Sequence, residues 1–216
     1  MKRVCMKMML LVALFIAPSQ LTAQEGMTGS ISILGMQTAF ERLDSAGLAQ
    51  GMDGMYFGAE GRFRFWKSSI GVRFLKGSLT QIGQTTAESV TEMVVTFGSQ
   101  PAEWITFLAG PHMRSYQTET GPLNSTLWEG QIRIENRLVG RSLRSYIDMW
   151  RTFATNEDFS TLLGTGQGVE GGLIIIIPNI HLMIQLGYRV DRSKIPESVV
   201  RHTSEALFFA LGFGGR

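Results

Sequence analysis

The sequence has almost no cysteine: Cys5 is the only one in 216 residues. Disulfide scaffolds need pairs of cysteines, and the common zinc sites need clusters of cysteine and histidine. The three histidines are dispersed along the chain, at His112, His181 and His202. We therefore expect no disulfide, no metal centre and no cofactor, so that packing and backbone pairing must hold the fold together.

Long apolar runs are equally scarce, and the only one long enough to attract attention lies at the start of the chain. Three basic residues precede an apolar run at 8–17, and the segment that follows ends in small residues at Ala23. This order is typical of a secretory signal peptide, and the run is too short to cross a bilayer as a helix. We predict a signal peptide over residues 1–23, cleaved near Ala23, and one domain over residues 24–216.

An excess of charge of either sign is missing as well. The whole chain carries 20 Lys+Arg against 18 Asp+Glu, and three of the basic residues lie in the predicted signal peptide, which leaves 17 against 18. A near-neutral mature chain offers no basic surface for a polyanion. We therefore expect no nucleic-acid partner.

What the sequence does contain is alternation with a period of two. Within 57–65 the odd positions are apolar or small and three of the four even positions are charged, and the segments 128–134 and 181–191 alternate in the same way. Successive side chains of a strand point to opposite faces, so each segment has one apolar and one polar face. The pattern predicts ten strands, at about 28–38, 54–66, 69–78, 88–98, 103–115, 126–138, 143–153, 167–177, 180–191 and 204–214.

The connections between these segments alternate in length. Four short turns separate five longer polar segments, which are predicted at 39–53, 79–87, 116–125, 154–166 and 192–203. The strand lengths are close to the roughly 9–11 residues that a tilted strand needs to cross a membrane. Short turns at one end, long loops at the other and an even strand count are features of outer-membrane barrels.

With these features, and with a last strand that ends in the aromatic segment Phe208–Phe213, the sequence resembles the small outer-membrane β-barrel proteins of Gram-negative bacteria. The resemblance covers residues 24–216. It implies an all-β, up-and-down antiparallel transmembrane barrel of ten strands, or of eight if the first hairpin does not span the membrane. It also implies an outer-membrane location, periplasmic termini, and a monomer that contacts lipid, lipopolysaccharide and the outer-membrane insertion machinery.

A soluble secreted barrel would alternate too, but with its apolar face inward. Two features favour the membrane version. The polar face carries arginine and almost no lysine, which suits confined, paired charges. The aromatic residues Trp66, Trp104, Tyr56, Trp128 and Tyr188 fall near strand ends, as in the aromatic girdles of membrane barrels. The charged side chains predicted to form a self-paired network in the lumen are Glu60, Arg62, Arg64, Arg73, Glu92, Arg133, Glu135, Arg137, Asp148, Glu170 and Arg189.

Two local features interrupt the pattern. The run Leu173–Ile177 is apolar on both faces, and it predicts an apolar region inside the lumen together with Leu108, Val94 and Met183, either as a small internal core or as a pocket for an apolar ligand. Pro111 lacks a backbone N–H, and we expect a bulge at Gly110–Pro111 or an early end of the fifth strand.

The sequence leaves the function open between three classes. A structural or ligand-binding barrel that acts through its external loops agrees best with a balanced, filled lumen. A lipid- or peptide-modifying hydrolase at the barrel mouth is the alternative, with His112, Glu129 and Asp191 as weak candidates for general acid–base catalysis. The third class is a narrow pore or a conduit for lipophilic molecules. His202 is expected in the last long loop.

Overall fold

The computed structural model is a closed barrel of ten antiparallel strands. It describes residues 27–43, 49–83, 87–118, 121–140, 142–155, 165–194 and 201–214, so the predicted signal peptide lies outside the described residues. The prediction of an all-β, up-and-down barrel of ten strands is confirmed, and the eight-stranded alternative is wrong. The strands are β1 Met27–Leu43, β2 Ala49–Phe65, β3 Ser68–Gln81, β4 Ala87–Ala102, β5 Ile105–Thr118, β6 Gly121–Val139, β7 Leu143–Thr155, β8 Thr165–Ile177, β9 Leu182–Lys194 and β10 Arg201–Gly214.

Each strand pairs with its neighbours in sequence, and the ring closes where β1 pairs with β10, from Ser30 opposite Gly214 to Leu43 opposite Arg201. We call the two ends of the barrel the short-turn end and the long-connection end. At the short-turn end, β8 and β9 are joined through a single 3₁₀ turn at Pro178–Ile180. Both Met27, which begins β1, and Gly214, which ends β10, lie at the short-turn end.

The strands extend further toward the long-connection end than the sequence pattern predicts. β1 ends at Leu43 and β2 begins at Ala49, so that most of the loop predicted at 39–53 is strand. The loop predicted at 116–125 is wrong as well, because β5 and β6 continue until only residues 119–120 connect them. Backbone pairing continues past the apolar part of each strand, because polar side chains on either face do not interrupt a ladder.

The outer surface of the barrel is apolar around its middle. Ile33, Phe57 and Leu207 point outward and expose 66%, 60% and 64% of their surface. A soluble barrel would place polar side chains here, so this exterior is that of a membrane-spanning barrel. Among the strand residues whose side chains the structure describes, the outward charged residues lie toward the long-connection end of their strands; they are Glu41, Asp53, Lys76, Arg151, Arg192 and Glu205.

Aromatic residues flank the apolar band on both sides. Trp66 and Trp104 lie exposed in short turns, and Trp128 and Tyr188 point outward nearer the long-connection end. Tyr56 does not belong to this set: it is 7% exposed and points into the lumen, because its even position in β2 falls on the inner face. No helix within the described ranges is long and apolar enough to cross a membrane.

The interior is divided into two regions of different chemistry. The first, which we call the apolar wall, lies on the inner face of β1, β2, β3 and β10. It explains why the first strand alternates poorly in sequence, since inward Leu34 and outward Ile33 are both apolar. The apolar wall consists of Leu34, Met36, Phe40, Met52, Tyr56, Leu75, Leu79 and Phe208, all buried.

Small residues allow strands of the wall to approach closely. A Cβ atom on Gly58 would lie 1.8 Å from the Phe74 carbonyl oxygen, so this inward position of β2 accepts only glycine.

Pro111 is accommodated without a bulge. The pairing of β4 with β5 is interrupted between the pairs Val94–His112 and Phe97–Ala109 and resumes in the same register. The predicted bulge at Gly110–Pro111 is therefore wrong: the missing N–H of proline interrupts the ladder without shifting it.

Candidate functional site in the barrel lumen

The second region of the interior, which we call the charged network, is built from arginines and carboxylates that strand alternation turns inward. Each of its members lies within 3.8 Å of an oppositely charged group, counting His112 as the partner of Glu129. Seven arginines thus face seven carboxylates. The members are Arg62, Arg64, Arg73, Arg114, Arg133, Arg144, Arg189, Glu60, Glu92, Glu129, Glu135, Asp148, Glu170 and Asp191.

Three ion pairs of the network cross the lumen between strands on opposite sides of the ring. Arg73 of β3 reaches Glu170 of β8, with Nη1 3.1 Å from Oε2. Arg189 Nη2 of β9 lies 3.4 Å from Glu92 Oε1 of β4. The third pair joins Arg62 of β2 to Asp148 of β7, with Nη2 3.8 Å from Oδ2. Because five strand steps separate the two partners in a ring of ten, these side chains bar the lumen across its diameter.

At the centre of the lumen, Glu170 is satisfied by partners from two directions. Its side chain is 2% exposed, and it accepts hydrogen bonds from Arg73 Nη1 and from Tyr146 Oη, each at 3.1 Å. Gln185 Nε2 donates to Tyr146 Oη at 2.7 Å, and the Arg133 guanidinium lies 4.3 Å from the centre of the Tyr146 ring. A buried network whose members are mutually hydrogen-bonded is rigid.

The three weak catalytic candidates come together near the long-connection end, in a cluster that also contains Glu92 and Arg189. His112 Nδ1 lies 3.1 Å from Glu129 Oε2, and His112 Nε2 lies 3.2 Å from Glu92 Oε1 without the geometry of a hydrogen bond. Asp191 Oδ2 accepts a 2.6 Å hydrogen bond from Arg189 Nε. Both imidazole nitrogens of His112 therefore face carboxylates, and the Asp191 carboxylate is hydrogen-bonded to Arg189.

Three arginines of the network gather near the short-turn end around one carboxylate, Glu135. Glu135 accepts hydrogen bonds from Arg133 Nε at 2.6 Å and from Arg64 Nη2 at 3.1 Å, and Arg144 Nη1 lies 3.8 Å away. Arg133 Nη1 also donates to Asp148 Oδ2 at 2.8 Å. Four arginines, Arg62, Arg64, Arg133 and Arg144, therefore face three carboxylates, Glu60, Glu135 and Asp148, at this end of the lumen.

Of the eleven side chains predicted to form a lumen network, ten belong to it. Arg137 does not: it lies at the end of β6, beyond the enclosed part of the lumen, where its side chain is 57% exposed and pairs with Glu103 at 2.9 Å. The odd position of Arg137 places it on the inner face of β6, but the strand has left the enclosed part of the ring by this residue. Arg114, Arg144, Glu129 and Asp191 complete the network.

The apolar run of β8 contributes to the lumen as its sequence suggests, with the predicted Met183 beside it but not Val94. Ile174 and Ile176 point inward beside Met183 of β9 and are buried with it. These three residues line one cavity at the short-turn end, whereas Val94 lines a second cavity nearer the middle. The predicted grouping of Val94 with them is therefore wrong, because β4 lies across the ring from β8 and β9.

Sequence reasoning missed the apolar wall and the placement of His202. Because β10 begins at Arg201, His202 lies in a strand rather than in the expected loop; it is 8% exposed, and its ring meets that of Phe40 edge-on at 5.4 Å between centroids. The period-two pattern did contain this signal, since His202 has the same parity as the inward residues Ala206 and Phe208.

Comparison with solved structures finds barrels of the same general kind at low similarity. The translocator domain of the autotransporter NalP from Neisseria meningitidis matches with 10% identity and a TM-score of 0.46, over 98% of this chain and 95% of that chain. The outer membrane protease OmpT from Escherichia coli matches with 7% identity and a TM-score of 0.47, over 88% and 96%. Neisserial surface protein A matches with 12% identity and a TM-score of 0.39, over 85% and 96%.

Neither a protein-family model nor a curated protein sequence matches the chain. The likeness to solved structures concerns the fold alone. The chain resembles the outer-membrane β-barrel proteins of Gram-negative bacteria in architecture: it is a closed, up-and-down, ten-stranded barrel with an apolar exterior and a charged interior.

Proposed function

We propose that this chain is a non-conducting outer-membrane barrel that acts as a structural or ligand-binding protein through its long-connection end. In this proposal the predicted signal peptide directs export, the insertion machinery delivers the chain to the outer membrane as a monomer, and the short-turn end with both termini faces the periplasm. The long-connection end then faces outward, where lipopolysaccharide and surface ligands are found.

One observation carries the proposal: charged side chains cross the lumen from opposite walls and pair at its centre. Arg73 and Glu170 meet at 3.1 Å, and Arg189 and Glu92 at 3.4 Å. A ten-stranded barrel is only slightly wider than the eight-stranded kind, in which side chains fill the interior. A lumen that is closed in this way favours a role at the membrane surface over the diffusion of solutes through the barrel.

The outward face of the long-connection end supports a contact role. Beyond the apolar band the strands carry outward charges of both signs, and the basic residues among them include Lys76, Arg151 and Arg192. Lysine and arginine at this level can bind the phosphates of lipopolysaccharide, and arginine does so in a bidentate manner. Lipopolysaccharide is thus the proposed neighbour of this rim.

Conductance in planar lipid bilayers tests the proposal directly. We expect the unmodified barrel to show no steady conductance, and the variant Arg73→Ala/Arg189→Ala to open a measurable path because two cross-lumen pairs are lost. Arg151→Ala, which removes an outward arginine, serves as the matched control and should remain closed. Steady conductance of the unmodified barrel at the level of the double variant would favour the pore instead.

A hydrolase at the mouth has less support. His112 is 5% exposed, and its two ring nitrogens face Glu129 and Glu92, so neither is directed at a substrate. Mass spectrometry of lipid A from cells with and without the protein, repeated with His112→Ala, separates the two functions. We expect identical lipid profiles, and a modification that depends on His112 would establish the enzyme.

A further inference from the structure

We propose that the short-turn mouth of the barrel binds a small organic anion with an apolar tail. The mouth contains a cavity that is open to solvent. Four arginines line it against two carboxylates, and the apolar residues of β8 and β9 form part of its wall. The charged lining residues are Arg62, Arg64, Arg133, Arg144, Glu60 and Glu135.

Negative charge is in short supply in this cavity. Arg64, Arg133 and Arg144 all converge on Glu135, at 3.1, 2.6 and 3.8 Å. Arg133 also has Asp148 as a partner at 2.8 Å, but Arg64 and Arg144 share the one carboxylate. Guanidinium groups held this close repel one another in a medium of reduced dielectric constant, and an additional anion would offset that repulsion.

Arg144 carries an unused donor. The Nε atom of Arg144 is buried and has no hydrogen-bond partner among the residues that the structure describes. Its guanidinium lies at the long distance of 3.8 Å from Glu135. A buried donor without an acceptor is costly, so the Arg144 guanidinium is incompletely satisfied, and a carboxylate or phosphate oxygen is the strongest partner for such a group.

The same cavity also has an apolar side. Ile174, Ile176 and Met183 line it and are 6%, 6% and 9% exposed. An inorganic anion would use the arginines and leave these side chains without a role. A ligand with a charged head and an apolar tail would contact both sides.

Access and contrast with the opposite mouth complete the argument. Arg62 and Arg64 keep 23% and 27% of their side-chain surface exposed, so an anion entering from the short-turn end can reach their guanidinium groups. At the long-connection mouth arginines do not outnumber carboxylates, because Glu92, Glu129 and Asp191 face Arg114 and Arg189 there, with His112 between the glutamates. We therefore place the anion site at one end of the lumen only.

Binding of 6,6,6-trifluorohexanoate, followed by fluorine NMR with the protein folded in lipid nanodiscs, tests the proposal. Empty nanodiscs give the contribution of lipid partitioning, which is subtracted. We expect saturable binding of the carboxylate and at least about tenfold weaker binding of 6,6,6-trifluorohexanol, a difference of about 1.4 kcal/mol. Equal affinity for the acid and the alcohol would overturn the proposal.

Variants at the two mouths locate the site. We expect Arg64→Gln and Arg144→Gln each to weaken trifluorohexanoate binding about fivefold or more, while Arg144→Lys, which keeps the charge, retains most of it. The matched control is Arg114→Gln, the same substitution in the opposite mouth, and it should leave the affinity unchanged. A loss in Arg114→Gln equal to that in Arg144→Gln would overturn the assignment.

A third variant separates the head from the tail. Ile176→Thr should weaken binding of trifluorohexanoate and leave binding of trifluoroacetate unchanged, because only the longer probe reaches β8. Weakening of both probes to the same extent would exclude a tail subsite. Because the readout is binding, a negative result would leave the proposal of a non-conducting barrel intact.

Discussion

The apolar wall and the charged network fill the same lumen by different means. In the apolar wall, residues such as Leu75 and Leu79 are 1% exposed and are stabilised by packing against side chains of neighbouring strands. In the charged network, residues such as Asp148 and Glu170 are also nearly inaccessible, but each has a partner on the opposite side of the ring in addition to one on a neighbouring strand. Residues of the two regions are equally buried, but those of the charged network also interact with residues across the ring.

This difference teaches which part of the interior depends on the closed shape. Apolar contacts tolerate small displacements because the hydrophobic effect is non-directional. A buried ion pair needs good geometry and satisfied hydrogen bonds to offset the desolvation of both charges. We therefore expect the charged network to respond more strongly to the loss of one partner than the apolar wall responds to the loss of one side chain.

The largest effect is expected from Arg133→Met in the charged network. This change removes the 2.8 Å ion pair of Asp148, which then keeps only the 3.8 Å contact with Arg62. Removing one partner of a buried pair lowers stability by about 3–5 kcal/mol. Urea unfolding followed by tryptophan fluorescence in detergent measures it, and Arg133→Met/Asp148→Leu should recover part of the loss. A double variant less stable than the single one would contradict this account.

The next effect tests the apolar wall. Leu75→Ala should destabilise the barrel by about 3 kcal/mol, from lost apolar burial and the cavity left behind. The matched control is Leu207→Ala on the outer surface, where Leu207 is 64% exposed and a lipid chain can fill the space. We expect the control to cost at least about 1 kcal/mol less in the same urea experiment. Equal losses would mean that the apolar wall is loosely packed.

A smaller effect is expected where the two regions meet. A Cβ atom on Gly187 would lie 2.5 Å from the Phe208 ring and 2.8 Å from Tyr146 Oη. Gly187→Ala should therefore cost about 1–3 kcal/mol through overpacking. Adding Phe208→Leu should relieve part of this cost, so that the two changes are not additive in the free energy of unfolding. Strict additivity would show that Phe208 is not the residue displaced.

The smallest effect is expected from Arg137→Ala at the rim. Arg137 and Glu103 form a 2.9 Å ion pair, but their side chains are 57% and 83% exposed. Solvent screens such a pair, so the change in unfolding free energy should stay within about 0.5 kcal/mol. Measured beside Arg133→Met, this variant shows whether position in the enclosed lumen determines the contribution of an arginine. A loss as large as that of Arg133→Met would refute the distinction.

The strands could be predicted from sequence because alternation is a local property. Residues such as Phe57 and Glu60 reveal the two faces of β2 without knowledge of its neighbours, and the same parity assigned ten of the eleven network residues to the lumen. Strand ends were less accessible to prediction. Beyond the apolar band, pairing depends on the backbone of the next strand, and β6 therefore begins at Gly121 rather than near residue 126.

The partners within the lumen could not be predicted, because they depend on the register of the whole ring. Arg73 and Glu170 are 97 residues apart in sequence, as are Arg189 and Glu92. Nothing in either local sequence indicates which carboxylate an arginine meets. The apolar wall escaped notice for the opposite reason: where both faces of a strand are apolar, as around Leu34, the pattern that distinguishes inside from outside disappears.

The closure of the ring between β1 and β10 has a consequence for assembly. Their paired residues come from the two ends of the described chain, so closing this ladder has the largest loop-closure entropy, and we expect it to form after the other hairpins. Inward positions 28–40 of β1 and 202–212 of β10 carry no aspartate, glutamate, lysine or arginine. The pairing of β1 with β10 can therefore form through backbone hydrogen bonds and apolar side chains. The ion pairs that cross the lumen belong to the strands between them.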